Sequence, residues 1–371
     1  MAKAKYTRRA NGYFEARVWD GTYNADGTKH RISLYSKKSS KDLEDKVKAL
    51  ESEVKAGTAV KKTEMMFMEY AEQWIQTKQI REKATVQMYA NTLKYYFRPV
   101  MECVPLGSAT RLHLQMLIAR NAEKARTCQI IKRTYIQIME SAVDDRYVPE
   151  AVLRPIRAVE IPKYVRQERR VLTPQERSAV RSAPFSDVER AFILLIYGCG
   201  LRRGEALALT PADVDLKRRI LRVQRAVQFI GNDASIKGPK SRNGYREIPI
   251  PDFLADFLAD YLPTIPGDYL VHDKSGGLMS KSSFRRLWDQ ILRKMNVAAG
   301  GSDAVRVVAG LTPHVFRHSY CTDLCYQIPT ISTKKIAQLL GDDESMVIRI
   351  YSHIMEEKED AASAVAAAIN L

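Results

Sequence analysis

The chain is short of cysteine, and the five it has (Cys103, Cys128, Cys199, Cys321 and Cys325) form an odd set without a Cys-x-x-Cys pair. That pattern argues against a disulfide framework or a zinc site and for a reducing, cytoplasmic setting. No other ligand spacing points to a metal, and no cofactor is expected. Nor does any apolar run approach the ~20 residues needed to span a bilayer. The opening MAKAKYTRRANGYF is basic but lacks an apolar core, so it does not read as a secretory signal. Acidic residues are in deficit too. With 59 Lys+Arg against 43 Asp+Glu, the formal net charge is +16 and the pI about 9.5. An excess of that size suits a polyanion, nucleic acid first among them, although ribosomal and membrane-surface proteins share it.

What is present is an ordinary folded chain of 371 residues, 45% hydrophobic, long enough for two or three domains. Residues 1–60 read as a small basic domain. Gly12 to Trp19 alternates like a strand, Lys29 to Tyr35 does so again, and Ser39-Ser40 starts a helix that runs to about Ala56 and ends at Gly57. Residues 61–150 read as all-helical. Phe67, Tyr70, Ala71, Trp74 and Ile75 recur at helical intervals, and a second run passes Met88, Leu93 and Phe97 until Pro99 intervenes. Helices are also expected over 111–119 and 125–143, with Lys94, Arg98, Lys132 and Arg133 contributing to a basic face. Pro149, Pro155 and Pro162 mark 151–170 as a cationic linker. Residues 171–371 then form a third domain. It opens on Thr173-Pro174-Gln175-Glu176, a capping box with proline at the first helical position. Its apolar, alanine-rich tail, 361–371, reads as a helix that docks on something.

Three stretches of that last domain carry chemistry. In the first, two glycines permit a tight turn after a buried helix (Val188 to Tyr197), in Gly198-Cys199-Gly200-Leu201-Arg202-Arg203-Gly204-Glu205, and Arg202 stands at its exit. Arg203 next to it reads as a surface residue or a DNA-backbone contact, and Glu205 as a hydrogen-bond acceptor within the turn. In the second, strands over 220–229 and 245–250 are joined by a loop over 231–244 that holds Lys237 and Lys240. In the third, Thr312-Pro313 starts a helix that sets His314 and Arg317 side by side, three residues apart. Cys321 and Cys325, farther along, read as two small buried apolar side chains. Gly341 ends the next helix as a left-handed cap, and a last run carries Tyr351 and His353.

Taken in order, Gly-Leu-Arg-x-Gly-Glu, then a lysine before Arg-x-Ile-Pro, then His-x-x-Arg, Leu-Gly-x and Tyr-x-His resemble the boxes of the tyrosine recombinases, the phage and conjugative-transposon integrases. The resemblance implies a multidomain, mainly α protein. A small β-sheet-plus-helix arm-binding domain would be followed by a helical core-binding domain and a mixed α/β, mostly helical catalytic domain with a small antiparallel sheet. It implies catalytic roles for Arg202, Lys240, His314, Arg317 and the nucleophile Tyr351, with no metal. Counting back from Arg-x-Ile-Pro favours Lys240 over Lys237. It further implies attachment-site duplex DNA as partner, four protomers on that DNA, and a nucleoid-associated location. A host DNA-bending factor and an excision factor are candidate partners that no residue reports.

The chemistry needs such groups. Attack on a phosphodiester builds negative charge on the non-bridging oxygens, and one preorganised donor there is worth ~10²–10³ in rate. Arginine's fork is always charged and binds two oxygens. A phenol of pKa about 10 must lose its proton as it attacks, and His314 can orient or accept it. Lys240 would protonate the leaving 5′-oxygen, and Tyr351 would become a 3′-phosphotyrosyl ester. Duller readings exist. Tyr351 also fits a core position four residues after Val347, His318 and His353 fit structural partners, and Arg317 fits a helix-face charge.

One position departs from the resemblance. Asp342 stands where the family usually has a histidine or tryptophan that donates to the phosphate. An ionised carboxylate there repels an anion unless it is turned away, protonated or paired with a base. Besides a site-specific recombinase, the residues therefore leave open a catalytically impaired DNA-binding or architectural protein, and a topoisomerase of type IB.

Overall fold

The alternating segments pair. β1 (Phe14–Tyr23) runs antiparallel to β2 (Lys29–Ser36), from Phe14↔Ser36 to Trp19↔Arg31, and α1 (Ser40–Ala56) lays Leu43 and Val47 against Ala16 and Val18. The computed structural model of the chain describes residues 5–23, 26–56, 59–61, 63–163, 170–239 and 244–358, the last four by their backbone alone. Gly57, Lys240 and the 361–371 tail lie outside the described residues. By its internal packing the chain divides into two units, Met1–Arg166 and Gln167–Leu371. Among the described residues no helix is long and apolar enough to cross a membrane.

In the first unit, helices follow the sheet: α2 (Phe67–Gln76), α3 (Lys83–Thr92), α4 (Arg98–Met101), α5 (Arg111–Ala119), α6 (Ala125–Asp144) and α7 (Leu153–Arg157). Their core is aromatic, with Phe67 stacked on Tyr135 at 5.4 Å and the Tyr135 hydroxyl donating to the Thr110 carbonyl at 2.9 Å. Two expectations change here. The helix does not stop at Pro99. Between α3 and α4 it passes through a π turn, Leu93–Phe97, and the Arg98 amide reaches back to the Leu93 carbonyl. The wider turn opens the ladder where proline has no N–H to give and its ring needs room, so the helix survives. The second change falls in the stretch read as linker, where α7 buries Leu153 and Ile156 in the same core. Pro155 sits in the first turn of α7, whose amides have no intrahelical acceptor to lose.

The second unit builds on α8 (Pro174–Ser182) and α9 (Asp187–Cys199). Thr173 and Glu176 close the expected capping box on α8. α9 buries Phe192 to Ile196 at the centre of the unit's core. The short α10 (Arg203–Ala206) leads to a three-stranded antiparallel sheet of β3 (Val214–Asp215), β4 (Ile220–Val223) and β7 (Arg246–Pro249), in the order β3-β4-β7. The strand expected over 220–229 is in fact two. The chain leaves the sheet at Gln224-Arg225, where the Arg225 guanidinium reaches Asp213 at 2.6 Å and the Thr210 hydroxyl at 3.1 Å. It then forms β5 (Ala226–Ile230), which pairs with β6 (Asp233–Lys237) as a separate hairpin, and only β6 falls in the stretch read as a loop. The missed signal was Gly231-Asn232, a two-residue turn with Gly231 at φ +62°. Next come α11 (Asp252–Tyr261), α12 (Lys281–Ala298), α13 (Pro313–Cys325), α14 (Thr333–Leu340) and α15 (Glu344–Lys358).

Candidate active site

Two left-handed glycines set the backbone of the site. Gly200 ends α9 at φ +59°, and a Cβ there would stand 2.3 Å from the Tyr320 ring of α13, so both the turn and the packing need glycine. Gly341 ends α14 at φ +63°. Between these turns lies a group of arginines. Arg202 caps the start of α10. Its backbone amide donates to one Glu205 oxygen at 2.8 Å and its guanidinium to the other at 2.9 Å. Arg317, buried one turn into α13, donates to the Gly200 carbonyl at 2.8 Å. Arg246 of β7 grips both Glu205 oxygens, at 3.1 and 2.8 Å.

All three guanidiniums also reach the last carbonyls of α14. Arg246 takes Leu339 at 2.7 Å, Arg317 takes Leu340, and Arg202 takes Gly341 at 2.9 Å. Those carbonyls have no intrahelical donors and sit at the negative end of the helix dipole, so cations suit them. Held this way, the turn after α14 projects Asp342 between two arginines. One carboxylate oxygen accepts from Arg202 and the other from Arg317, the latter at 2.5 Å. Of the outcomes the sequence left open for Asp342, the structure has pairing, with arginines on both sides.

Arg202, His314, Arg317 and Asp342 line one cavity of about 690 Å³. Arg170, placed by its sequence in the cationic linker, also lines it, bound to Glu176 at 2.7 and 2.8 Å. From α15 the cavity receives Met346, Val347 and Ile350. Tyr351, the next residue, is half-buried against the small apolar cluster of Cys321, Cys325, Ile336 and Leu340. A second cavity, about 780 Å³, shares Arg202 and His314 and adds Lys237 at the end of β6. Lys240 cannot be placed against either, being outside the described residues. Cys321 and Cys325 lie buried one turn apart in α13.

Arg246 was missed as a site residue, although it was used to count back to the lysine. The signal was there, since on a strand Arg246 faces the same way as Ile248, a core residue. Arg203 is exposed, as its reading as a surface residue has it, and it is also seated on aromatic rings. Its guanidinium lies over the rings of Phe229 and Phe284, at 5.3 and 5.4 Å from their centroids.

Burial alone would raise the pKa of Glu205 and Asp342. For Glu205 the bond to Arg246, and then the charges of Arg317 and Arg202, outweigh it; for Asp342 the charge of Arg317 does, followed by that of Arg202. Both carboxyls are therefore held below their ordinary values and carry charge. Burial, and then Arg202, lowers the pKa of Arg317. Glu205→Gln breaks a buried, multiply bonded carboxylate and is expected to cost about 3–5 kcal/mol at neutral pH. Because the native carboxyl is the stronger acid, its stabilisation is present above the ordinary range near pH ~4.3 and fades as pH falls through the folded value. Denaturant titrations across pH should show the gap between wild type and Glu205→Gln narrowing on the acid side.

Residues 171–358, just over half of the chain, match the model of the phage integrase family. The chain is 30% identical over 200 residues to the tyrosine recombinase XerA of Thermococcus kodakarensis, covering 53% of this chain and 62% of that one. It thus spans less than two thirds of the length of that curated relative. In fold it is similar to the Tn1549 transposon integrase in complex with a circular intermediate DNA, with a TM-score of 0.66 at 18% identity over 79% of this chain and 99% of that one. It is also similar to the lambda integrase tetramer bound to a Holliday junction, with a TM-score of 0.59 at 16% identity over 93% of each.

Proposed function

The chain belongs to the phage integrase family, and from that we propose that it is a site-specific recombinase that cuts and rejoins duplex DNA through a 3′-phosphotyrosyl intermediate, moving a mobile element into or out of its target. One observation carries the reading: the guanidiniums of Arg202 and Arg317 converge on a single anion, here the carboxylate of Asp342. A phosphodiester presents the same chemistry, two oxygens sharing negative charge. With the scissile phosphate in that position, the two arginines would hold its non-bridging oxygens and stabilise the charge that grows there in the transition state.

The remaining roles follow the protons. The Tyr351 oxygen attacks phosphorus and gives up its proton, which His314 orients or accepts. The bond to the 5′-oxygen breaks, and a lysine from the stretch between β6 and β7, or from the end of β6, protonates that oxygen. Lys240 is assigned this role from its sequence position, with Lys237 as the alternative. A second 5′-hydroxyl reverses the step on a new strand without any external energy source, because the phosphotyrosyl ester keeps the bond energy. Attachment-site DNA and an assembly of four protomers are part of the proposal. The basic balance of the chain and its likeness to integrases solved on DNA, one of them as a tetramer, support both. The reading places 1–60 on arm-type sites and 61–150 on core-type sites.

A nicked duplex taken from the DNA flanking the coding sequence tests the reading. Its short cleaved strand diffuses away and traps the adduct. Covalent protein–DNA adduct and joining of two duplexes are the expected result. Adduct with supercoil relaxation but no joining would point to a topoisomerase, and binding without adduct to an architectural protein.

Asp342 competes with the phosphate in this scheme and must be displaced by it. Charge-assisted hydrogen bonds are worth roughly 1.5–3 kcal/mol each. Even partial relief of that competition in Asp342→Asn is expected to speed adduct formation about tenfold, the equivalent of 1.4 kcal/mol. The same change should lower the melting temperature, since Arg317 loses a charged partner. Slower adduct formation by a stably folded Asp342→Asn would show the carboxylate to be a working part of the site.

A further inference from the structure

The β5–β6 hairpin, which ends in Lys237 and leads on to Lys240, is fastened to the rest of the unit at three places. At its tip, the Asn232 carbonyl accepts the Lys281 amide at 2.9 Å, and the Asn232 side chain accepts the Ser282 amide at 2.9 Å. These are first-turn amides of α12, which have no partners within the helix, so the hairpin tip completes the cap that Ser280 begins by accepting the Ser283 amide. In the middle, Phe229 of β5 lies 6.5 Å from Phe284 of α12, and the Arg203 guanidinium sits over both rings. At the base, the Val227 carbonyl is so close to Gly204 that a Cβ there would stand 2.5 Å from its oxygen. Val227 neighbours Ala226, the residue paired with Lys237 across the hairpin.

Two of these contacts come from one stretch of chain, Arg203 and Gly204, directly after Arg202. The guanidinium over two aromatic rings is attracted by the ring quadrupoles, even though the arginine is exposed. Arg202 bonds the Asp342 carboxylate, while Arg203 lies over a ring of β5 and a ring of α12. We propose that Arg203 is a positioning residue for the general acid: by seating on Phe229 and Phe284 it sets the β5–β6 hairpin, and hence the lysine the hairpin delivers, at the leaving 5′-oxygen. This rests on the reading above, in which a lysine at the end of the hairpin or just beyond it protonates that oxygen. The distance from Arg203 to the lysine matters less than the rigidity it imposes, because displacement of a catalytic group by about 1 Å can cost about a hundredfold in rate.

The test uses the full chain and two versions of the nicked duplex, one with the ordinary 5′-oxygen at the scissile bond and one with sulfur in its place. In both, the tyrosine oxygen bonds to phosphorus and the 5′-bridging bond breaks. An alkoxide leaving group needs a proton, whereas a thiolate leaves without one, so only the oxygen substrate needs the acid. Arg203→Ala and Phe229→Ala are expected to cleave the oxygen substrate about a hundredfold more slowly than wild type. On the sulfur substrate both should match wild type, and DNA affinity should be unchanged. Lys240→Ala and Lys237→Ala are run alongside, and rescue of one of them by sulfur identifies the acid. If sulfur rescues a lysine variant but neither Arg203→Ala nor Phe229→Ala, the positioning role is overturned while the recombinase reading stands. If sulfur rescues no lysine variant, the assignment of either lysine as the acid fails first. Wild-type cleavage of the oxygen substrate by both Arg203→Ala and Phe229→Ala would also refute the proposal.

Discussion

Tyr351→Phe is expected to bind the nicked duplex as wild type does and to form no covalent adduct with it. Phenylalanine keeps the ring that packs on the cluster of Cys321, Cys325, Ile336 and Leu340 and loses only the oxygen, so the fold should be untouched. The loss should be complete, because no other group can supply the bond to phosphorus. Ile350 lines the arginine cavity while Tyr351 packs on the neighbouring cluster. In the proposed reaction the phenol must reach the phosphate held by the arginines, either from its own subunit or from an adjacent one. Mixing Tyr351→Phe with Arg317→Ala separates these. If the tyrosine acts within its own subunit, the mixture is no faster than Arg317→Ala alone; if it is lent to a neighbour, each protein supplies what the other lacks and adduct formation rises well above that. An adduct formed by Tyr351→Phe alone would remove this tyrosine from the mechanism.

The parts of the site that could be read in advance are those encoded locally. Gly200 and Gly341 announce left-handed turns, Thr173-Pro174 and Thr312-Pro313 announce helix starts, and the three-residue spacing of His314 and Arg317 needs only a helix to become a shared face. What was hidden depends on elements distant in the chain. Asp342 is paired only because Arg202, 140 residues away, and Arg317 both close on it. Arg246 looked like part of a spacing motif until β7 was seen to bury it against Glu205. The rings under the exposed Arg203 were hidden because nothing nearby in sequence supplies them; Phe229 and Phe284 come from other elements. Pro99 shows the same limit in backbone form, since a π turn can absorb what a regular helix cannot.

Arg317→Ala is expected to slow adduct formation ~10²–10³-fold, the usual effect of removing one preorganised donor from a developing oxyanion. The difficulty is that Arg317 also holds the fold together. Its guanidinium serves the carbonyls of Gly200 and Leu340 and pairs with Asp342, all in a buried setting. Removing one partner of a buried pair typically costs about 3–5 kcal/mol, so a slow variant could simply be an unfolded one. The Asp342→Asn background resolves this. There the stranded carboxylate is gone, and Arg317→Ala should cost measurably less stability than it does in the wild-type chain, a coupling that a double-mutant cycle in denaturant reads directly. Activity should not follow. The double variant should regain stability and remain slow, because the asparagine amide cannot replace a charged fork on the phosphate. Arg317→Lys should fall between, keeping the charge but losing the bidentate geometry. Recovery of adduct formation in step with stability would reduce Arg317 to a structural brace for the turn after α14, and the phosphate-binding role would then have to rest on Arg202 alone.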